Sequence, residues 1–148
     1  MSVLETPFPP ALTGNISTKV VDFHDPGTPQ TIIETDDDWR IDVQWNLSGP
    51  LAPFICGEFY VQAYLEDIAA TKFEGPIGAK QVVDVSSAPA TTNRQYQRHI
   101  LIKAGSVPTG VYKLTTVLTY SNLGVPLEMA GFDEGPMIQL YSKVGSNP

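Results

Sequence analysis

Hydrophobic and polar residues alternate with a period of two along most of this chain, and the clearest run covers residues 39–48. Such alternation is typical of a β-strand with one buried face and one solvated face. The apolar side chains that share one side of this run are Trp39, Ile41, Val43, Trp45 and Leu47. No segment places apolar residues at helical spacing over three turns. The pattern therefore predicts an all-β protein in which Trp45 fills the core.

Seven segments of this kind are separated by turn residues at intervals of about ten residues, which is typical of a β-sandwich. The predicted strands are A (15–34, interrupted), B (39–48), C (55–67), D (79–85), E (96–103), F (110–121) and G (137–142). Residues 1–14 contain Pro7, Pro9 and Pro10, which cannot donate ladder hydrogen bonds, so an irregular N-terminal arm is expected. Because the chain has no repeat and no linker-like stretch, residues 1–148 are predicted to form one domain.

A local motif near the start of predicted strand F suggests a superfold. The run 107–114, with the sequence VPTGVYKL, resembles the tyrosine corner of immunoglobulin and fibronectin type III domains, with Tyr112 at the matching position. In those domains the tyrosine hydroxyl reaches back to the upstream backbone. The resemblance implies a seven-stranded, antiparallel, immunoglobulin-like sandwich in which B pairs with A, E and D, and C pairs with F and G. The paired cysteines of antibody domains are missing, and a superfold implies no function.

The charge of the chain argues against two classes of partner. Acidic side chains number 16 and basic ones 9, which gives a net charge of −7, and the nearest approach to a basic cluster is Arg94, Arg98 and His99. Binding to nucleic acid or to an anionic membrane is therefore not expected. The single cysteine, Cys56, excludes an internal disulfide and is expected to be an inert, at least half-buried thiol. The N-terminal residues show no signal-peptide pattern, so a cytoplasmic location is expected.

The sequence contains no recognisable catalytic or metal-binding motif. Zinc requires three or four converging nitrogen or sulfur ligands, whereas the two histidines, His24 and His99, lie far apart in the chain. The acidic run 36–38 offers oxygen ligands for calcium, but a solvated turn before strand B is the favoured interpretation. Glu58 and Glu66 are the carboxylates considered for glycoside hydrolysis, although no sequence motif indicates them. We therefore predict no catalytic residue, no metal and no cofactor, and a chain that is not an enzyme. A hydrolase is the third class considered, and it would require a pocket with a carboxylate of raised pKa.

The strand assignment predicts an unusual outer face on the sheet formed by C, F and G. Tyrosine and methionine, which are enriched at the cores of protein interfaces, gather on its solvent side. The long connection 122–136 adds apolar side chains that either bind a partner or close the core. The predicted binding residues are Tyr60, Tyr64, Val117, Met137 and Tyr141 on the strands, with Leu127 and Phe132 in the connection.

Two functions follow from this surface. The preferred one is a non-enzymatic protein-interaction or assembly module that associates through an outer sheet face or an edge strand. Its partner would be another protein or a second copy of the same chain. The alternative is a carbohydrate-binding module in which Tyr60, Tyr64 and Tyr141 lie coplanar and stack on sugar rings.

Overall fold

The computed structural model describes residues 1–22, 31–68, 73–123 and 125–142, with only the backbone described at 125–127. This part of the chain forms nine β-strands and two short 3-10 turns, at Ala52–Phe54 and Val85–Ser87. The strands are β1 (Ser2–Val3), β2 (Thr13–Asp22), β3 (Ile32–Glu34), β4 (Trp39–Ser48), β5 (Glu58–Asp67), β6 (Glu74–Asp84), β7 (Asn93–Ile102), β8 (Gly110–Asn122) and β9 (Val125–Tyr141).

The strands form two sheets that pack face to face around one core. The four-stranded sheet has the order β1-β2-β4-β7, and the five-stranded sheet has the order β3-β9-β8-β5-β6. Trp45 is 3% exposed and stacks on Tyr96 with ring centroids 5.6 Å apart. The Phe59 ring, from the other sheet, lies nearly perpendicular to the Trp45 ring, with centroids 5.7 Å apart. The predictions of an all-β protein with two sheets and of a core position for Trp45 are confirmed.

Strand β6 lies in the sheet opposite to the one predicted for it. Predicted strand D was assigned beside B and E, whereas β6 pairs with β5 in an antiparallel hairpin. Strands joined by a short connection tend to pair, and this tendency outweighs the inferred topology here. The strand also begins earlier than predicted, since Gly75, Pro76 and Gly78 lie within it. An edge strand with a register shift tolerates these residues, because it leaves ladder positions unpaired.

Predicted strands A and G also differ from the structure. Strand A divides into β2 and β3, and β3 joins the five-stranded sheet parallel to β9, so the pairing is not wholly antiparallel. Residues 125–136 of the predicted 122–136 connection are the first 12 of the 17 residues of β9, and Gly135 and Pro136 lie at a register shift opposite β8. The prediction of a long loop was wrong because proline at an irregularity does not end a strand. Met129 from this segment enters the core, whereas Phe132 points outward.

The N-terminal arm, expected to be irregular, connects the two sheets. Its first strand pairs with β2, and Glu5 and Ala130 of β9 exchange backbone hydrogen bonds of 2.8 and 3.1 Å. Between these contacts, Leu4 is 3% exposed and lies against Gly14 of β2 and Gly131 of β9. A methyl group at either glycine would overlap the Leu4 side chain, so both positions leave room for it. Leu4 thus closes one side of the sandwich.

Arg94, which the sequence groups with surface cations, is 3% exposed at one end of the sandwich. Its Nη1 donates to the carbonyl oxygens of Ala52 and Ile55, at 3.1 and 2.9 Å. Its Nη2 donates to those of Val85 and Ala88, at 2.7 and 2.9 Å. One guanidinium therefore ties the β4–β5 connection to the β6–β7 connection through four backbone acceptors, of which those of Ile55 and Ala88 have no other donor among the described residues.

Tyr112 makes the hydrogen bond expected of a tyrosine corner. Its side chain is fully buried, and its hydroxyl donates to the carbonyl oxygen of Pro108 at 2.8 Å. Burial raises the pKa of this hydroxyl, and the neighbouring Asp67 carboxylate raises it further. The neutral phenol is therefore the form that packs against β9 and holds the start of β8 to the loop before it.

Replacing Tyr112→Phe is expected to lower the free energy of unfolding by about 1 kcal/mol, because the Pro108 carbonyl loses its donor while the ring still fills the core. Urea denaturation followed by tryptophan fluorescence measures this change. The same substitution at the exposed Tyr141 is the control, for which no change is expected. Equal midpoints for Tyr112→Phe and the wild-type chain would contradict a stabilising role for the corner.

Candidate functional site

The outer face of the five-stranded sheet carries the predicted binding residues whose side chains are described. Phe132 is 59% exposed, Met137 53%, Tyr64 40% and Tyr141 38%, while Tyr60 and Val117 are partly exposed. The side chain of Leu127 lies outside the described residues. The outward orientation predicted for β5 and β8 is therefore present, and the strand register determines which of these side chains meet.

Four of the outward side chains form a continuous apolar line, here called the apolar diagonal, which consists of Val82, Tyr60, Val117 and Phe132. Val82 lies directly opposite Tyr60 across β6 and β5, and Val117 lies directly opposite Phe132 across β8 and β9. Tyr60 faces Thr119 on β8, so Val117 is its diagonal neighbour. Directly opposed Cβ atoms lie about 5 Å apart and diagonal ones about 7–8 Å apart, within reach of an aromatic ring. The diagonal therefore crosses four strands.

Val82, which is 53% exposed, is not among the predicted binding residues, because the sequence pattern assigned its strand, β6, to the other sheet. The signal for an outward valine was present in the adjacent pair Val82 and Val83, since neighbouring residues of a strand point to opposite faces. Val83 is buried, so Val82 must be outside. Its contact with Tyr60 could not be predicted without knowing that β6 pairs with β5.

The three tyrosines considered for sugar stacking are not brought together. Tyr60 and Tyr64 are four residues apart on β5, or roughly 13 Å. Tyr64 lies in the cross-strand row of Thr115 and Glu134, and Tyr141 is seven residues further along β9, roughly 20 Å away. A single sugar ring spans much less than these separations, so the three tyrosines do not stack together on one ring.

Both lysines that the structure describes on this outer face are already engaged. The Nζ atom of Lys80 lies 4.8 Å from the centroid of the Tyr60 ring, within the range of a cation–π interaction. Lys113 forms an ion pair of 3.2 Å with Glu134 across β8 and β9, next to Met137. Neither ammonium group neutralises the carboxylates of β5 and β6.

Those carboxylates form two directly opposed pairs, here called the acid pairs. Glu58 lies opposite Asp84 at one end of the β5–β6 ladder, and Glu66 lies opposite Glu74 at the other. Within the described residues, no cation is placed against any of the four. Like charges directly opposite each other destabilise a β-ladder, so the fold carries an electrostatic cost at both ends of this face.

Replacing Glu74→Gln is expected to raise the free energy of unfolding by about 0.2–1 kcal/mol, because it removes the repulsion with Glu66 while keeping the side-chain shape. Urea denaturation at low ionic strength measures the gain, which should shrink in concentrated salt as the charges are screened. Asp36→Asn, at an exposed position away from this face, is the charge-matched control. A destabilised Glu74→Gln protein would show that the acid pair has an unrecognised favourable role.

The edges of the sheets are poorly suited to pairing with another strand. Edge strand β7 turns Arg98 toward the interior between Tyr96 and Ile100, and edge strand β6 contains Pro76 and the bulge near Lys80. Inward charges, prolines and bulges are features that discourage edge-to-edge association. The other two edge strands span only two and three residues. Of the two modes of association that the sequence predicts, the outer face is therefore the better supported.

The outer face of the four-stranded sheet has a different chemistry. A shallow depression of about 410 Å³ is lined there mainly by amide and hydroxyl side chains. These are Asn15, Ser17, Gln44, Asn46, Gln95 and Gln97. Beside it, Asp42 lies 2.5 Å from Nδ1 of His99 and 2.9 Å from Nε of Arg40. Unlike the opposite face, this one carries no Phe, Tyr or Trp side chain on its outward side within the described strands.

Several residues considered as metal ligands or as a reactive thiol do not lie together in one site. Within the described part of the chain, no three His, Cys, Asp or Glu residues converge as a metal site would require. Asp38 instead accepts a hydrogen bond of 2.8 Å from the backbone of Ala104. His24 lies outside the described residues. Cys56, predicted to be at least half-buried, is exposed, because β5 begins two residues after it.

Glu58 and Glu66 are too far apart to act together on one glycosidic bond. They lie eight residues apart on the same face of β5, or roughly 27 Å. The carboxyl pairs of glycoside hydrolases are separated by about 5–9.5 Å. These two residues therefore do not form the acid–base pair for which the sequence made them candidates.

Comparison with known proteins gives no family for this chain. No family model and no curated protein matches the sequence. A β-glucosidase from Listeria innocua in complex with glucose matches 86% of this chain over 16% of its own, at 11% identity and a TM-score of 0.43. The complex of that enzyme with gluconolactone gives the same values. The chain thus spans about a sixth of the length of these proteins, and a likeness at this level carries no argument about its activity.

The prediction that this chain is not an enzyme is withdrawn, because the structures that match it are those of a β-glucosidase; no activity is assigned to this chain on that ground. Among the described residues, no helix is both long and apolar enough to cross a membrane.

Proposed function

We propose that this chain is an immunoglobulin-like module that binds a protein partner through the outer face of its five-stranded sheet. The observation that carries the proposal is the apolar diagonal, a line of directly opposed and diagonally neighbouring apolar side chains that crosses four strands and ends in Phe132, 59% exposed. Interface cores are enriched in aromatic residues, and a few such anchors supply most of the binding energy. Contiguous apolar surface of this kind marks interaction sites more often than scattered exposed residues do.

The strand order supports the immunoglobulin-like part of the proposal. Strands β2, β4 and β7 occupy the places of A, B and E, and β5, β8 and β9 those of C, F and G. Strand β6 takes the place next to C that C′ has in variable-type immunoglobulin sheets. The hydrogen bond from Tyr112 to the Pro108 carbonyl supports the same resemblance, because a tyrosine corner makes a bond of this kind.

A double variant of the diagonal, Val117→Thr with Phe132→Ser, tests the proposal. Both substitutions are at outward positions, so the fold should persist, which urea denaturation verifies. Val3→Thr with Leu101→Ser is the matched control, because these apolar residues are 75% and 44% exposed on the other sheet. Sedimentation equilibrium measures self-association, affinity capture from an extract of the source organism measures binding of other proteins, and immobilised glycans measure sugar binding.

The proposal requires a partner, identical or different, that the wild-type chain and the control retain and the diagonal variant loses by at least about tenfold, or about 1.4 kcal/mol. Equal capture by all three proteins would overturn it. Retention of glycans alone, abolished by Tyr60→Ser with Tyr64→Ser, would replace it with the carbohydrate-binding alternative.

A further inference from the structure

The charge distribution around the apolar diagonal points to the chemistry of its partner, and this step rests on the proposed function. The two acid pairs stand at the two ends of the β5–β6 ladder, with Val82, Tyr60, Pro76 and Tyr64 between them. We infer that the occupant of this face is an extended polypeptide segment with apolar side chains in its middle and lysine or arginine near both ends. Such a segment would neutralise both acid pairs while covering Val82 and Tyr60, the part of the diagonal that lies on the β5–β6 ladder.

The acid pairs have no use within the described fold. Each places two carboxylates directly opposite one another, and both lysines of the face are directed elsewhere, toward Tyr60 and Glu134. Opposed like charges weaken a ladder in the free protein. A cationic partner removes this repulsion on binding, so the arrangement favours the complex over the free state and also raises the rate of encounter.

The same charges argue against a second copy of this chain as the occupant. Two identical faces packed against each other would bring acid pairs close to acid pairs, and the whole chain carries a net charge of −7. Like-charge juxtaposition across an interface costs several times the thermal energy and is a common means of rejecting a wrong partner. Charge complementarity therefore selects a basic protein.

The spacing of the acid pairs sets the length of the segment. Glu58 and Glu66 are eight residues apart, and a strand rises about 3.3 Å per residue, so the two pairs are roughly 27 Å apart. An extended partner segment needs about eight residues to span this distance. In an extended chain alternate side chains share one face, so apolar residues at every second position would contact Val82, Tyr60 and Tyr64.

Fluorescence anisotropy with synthetic nine-residue peptides tests this inference. The probe has two lysines at each end and alternating valine and threonine around a central phenylalanine, and the control peptide has glutamate in place of lysine. The protein variants are Glu58→Gln with Asp84→Asn, and Glu66→Gln with Glu74→Gln. Glu5→Gln with Asp36→Asn removes the same amount of charge at two exposed positions outside the β5–β6 ladder and is the matched control.

We expect the lysine peptide to bind, and each acid-pair variant to weaken its binding about fivefold, against less than about twofold for the control. Binding should also weaken as salt is added. Equal binding of the glutamate peptide, equal effects of all three variants, or no binding of any peptide would overturn the inference. If capture of a cellular partner still depends on Val117 and Phe132 in those cases, the proposed function stands and only the inference about a basic segment fails. If capture does not depend on these residues, both the proposed function and the inference fail.

Discussion

Replacing Arg94→Met is expected to lower the free energy of unfolding by about 2–5 kcal/mol. Methionine keeps much of the side-chain volume but has no donor, so four carbonyl oxygens at the end of the sandwich lose the guanidinium. Those of Ile55 and Ala88 then have no other described donor, whereas that of Ala52 still accepts from the Ile55 amide. A buried acceptor left without a partner costs about 1–3 kcal/mol, and relaxation of the two connections recovers part of the sum. The Tyr96 hydroxyl still donates to the Val85 carbonyl oxygen at 2.6 Å after the substitution and continues to hold the β6–β7 connection.

Urea denaturation followed by circular dichroism measures the loss. Arg98→Met on the same strand is the matched control, because Arg98 is only partly buried and its Nη1 donates to a single exposed carbonyl, that of Gln97. Arg94→Lys should fall between the two, since one ammonium group cannot span two loops as the planar guanidinium does. A stability of Arg94→Met within 1 kcal/mol of the wild-type value would show that water satisfies the carbonyls and that the arginine is dispensable.

Replacing Leu4→Ala is expected to lower the free energy of unfolding by about 2–5 kcal/mol, the range for truncating a buried leucine. The upper part of this range is expected because Gly14 and Gly131 have no side chains that could move into the space. The arm would also lose the contact that holds Glu5 beside Ala130, and with it the connection between the two sheets.

Chemical denaturation measures the loss of stability, and amide hydrogen exchange measures the loss of the contact between the arm and β9. The stability change should be absent in Val3→Ala, because the neighbouring Val3 is 75% exposed. In Leu4→Ala the backbone amides of Glu5 and Ala130 should exchange faster than in Val3→Ala, even under conditions where both proteins are folded. Equal exchange rates at these two amides in the two variants would contradict the assignment of Leu4 as the residue that fastens the arm.

Properties set by neighbouring residues could be predicted from the sequence. The alternation of apolar and polar residues at 39–48 gave β4 with its exact bounds and its buried face, because side-chain direction in a strand has a period of two. The same alternation put Tyr60, Tyr64 and Val117 on an outer face. Tyr112 could be paired with the upstream backbone because the motif that contains it is only a few residues long.

The pairing of distant segments could not be predicted in this way. The placement of β6 beside β5, the transfer of β3 to the second sheet and the docking of Leu4 between two glycines depend on contacts between residues far apart in sequence. The burial of Arg94 also depends on two loops that only the fold brings together.

The sequence by itself determined that the chain is all-β and which residues of several strands face outward, because both follow from a local period. Only the tertiary structure decided that Val82 completes the apolar diagonal and that Glu58 and Glu66 each oppose another carboxylate. Strand register is set by the packing of whole sheets, and a strand carries no local record of the partner beside which it will lie.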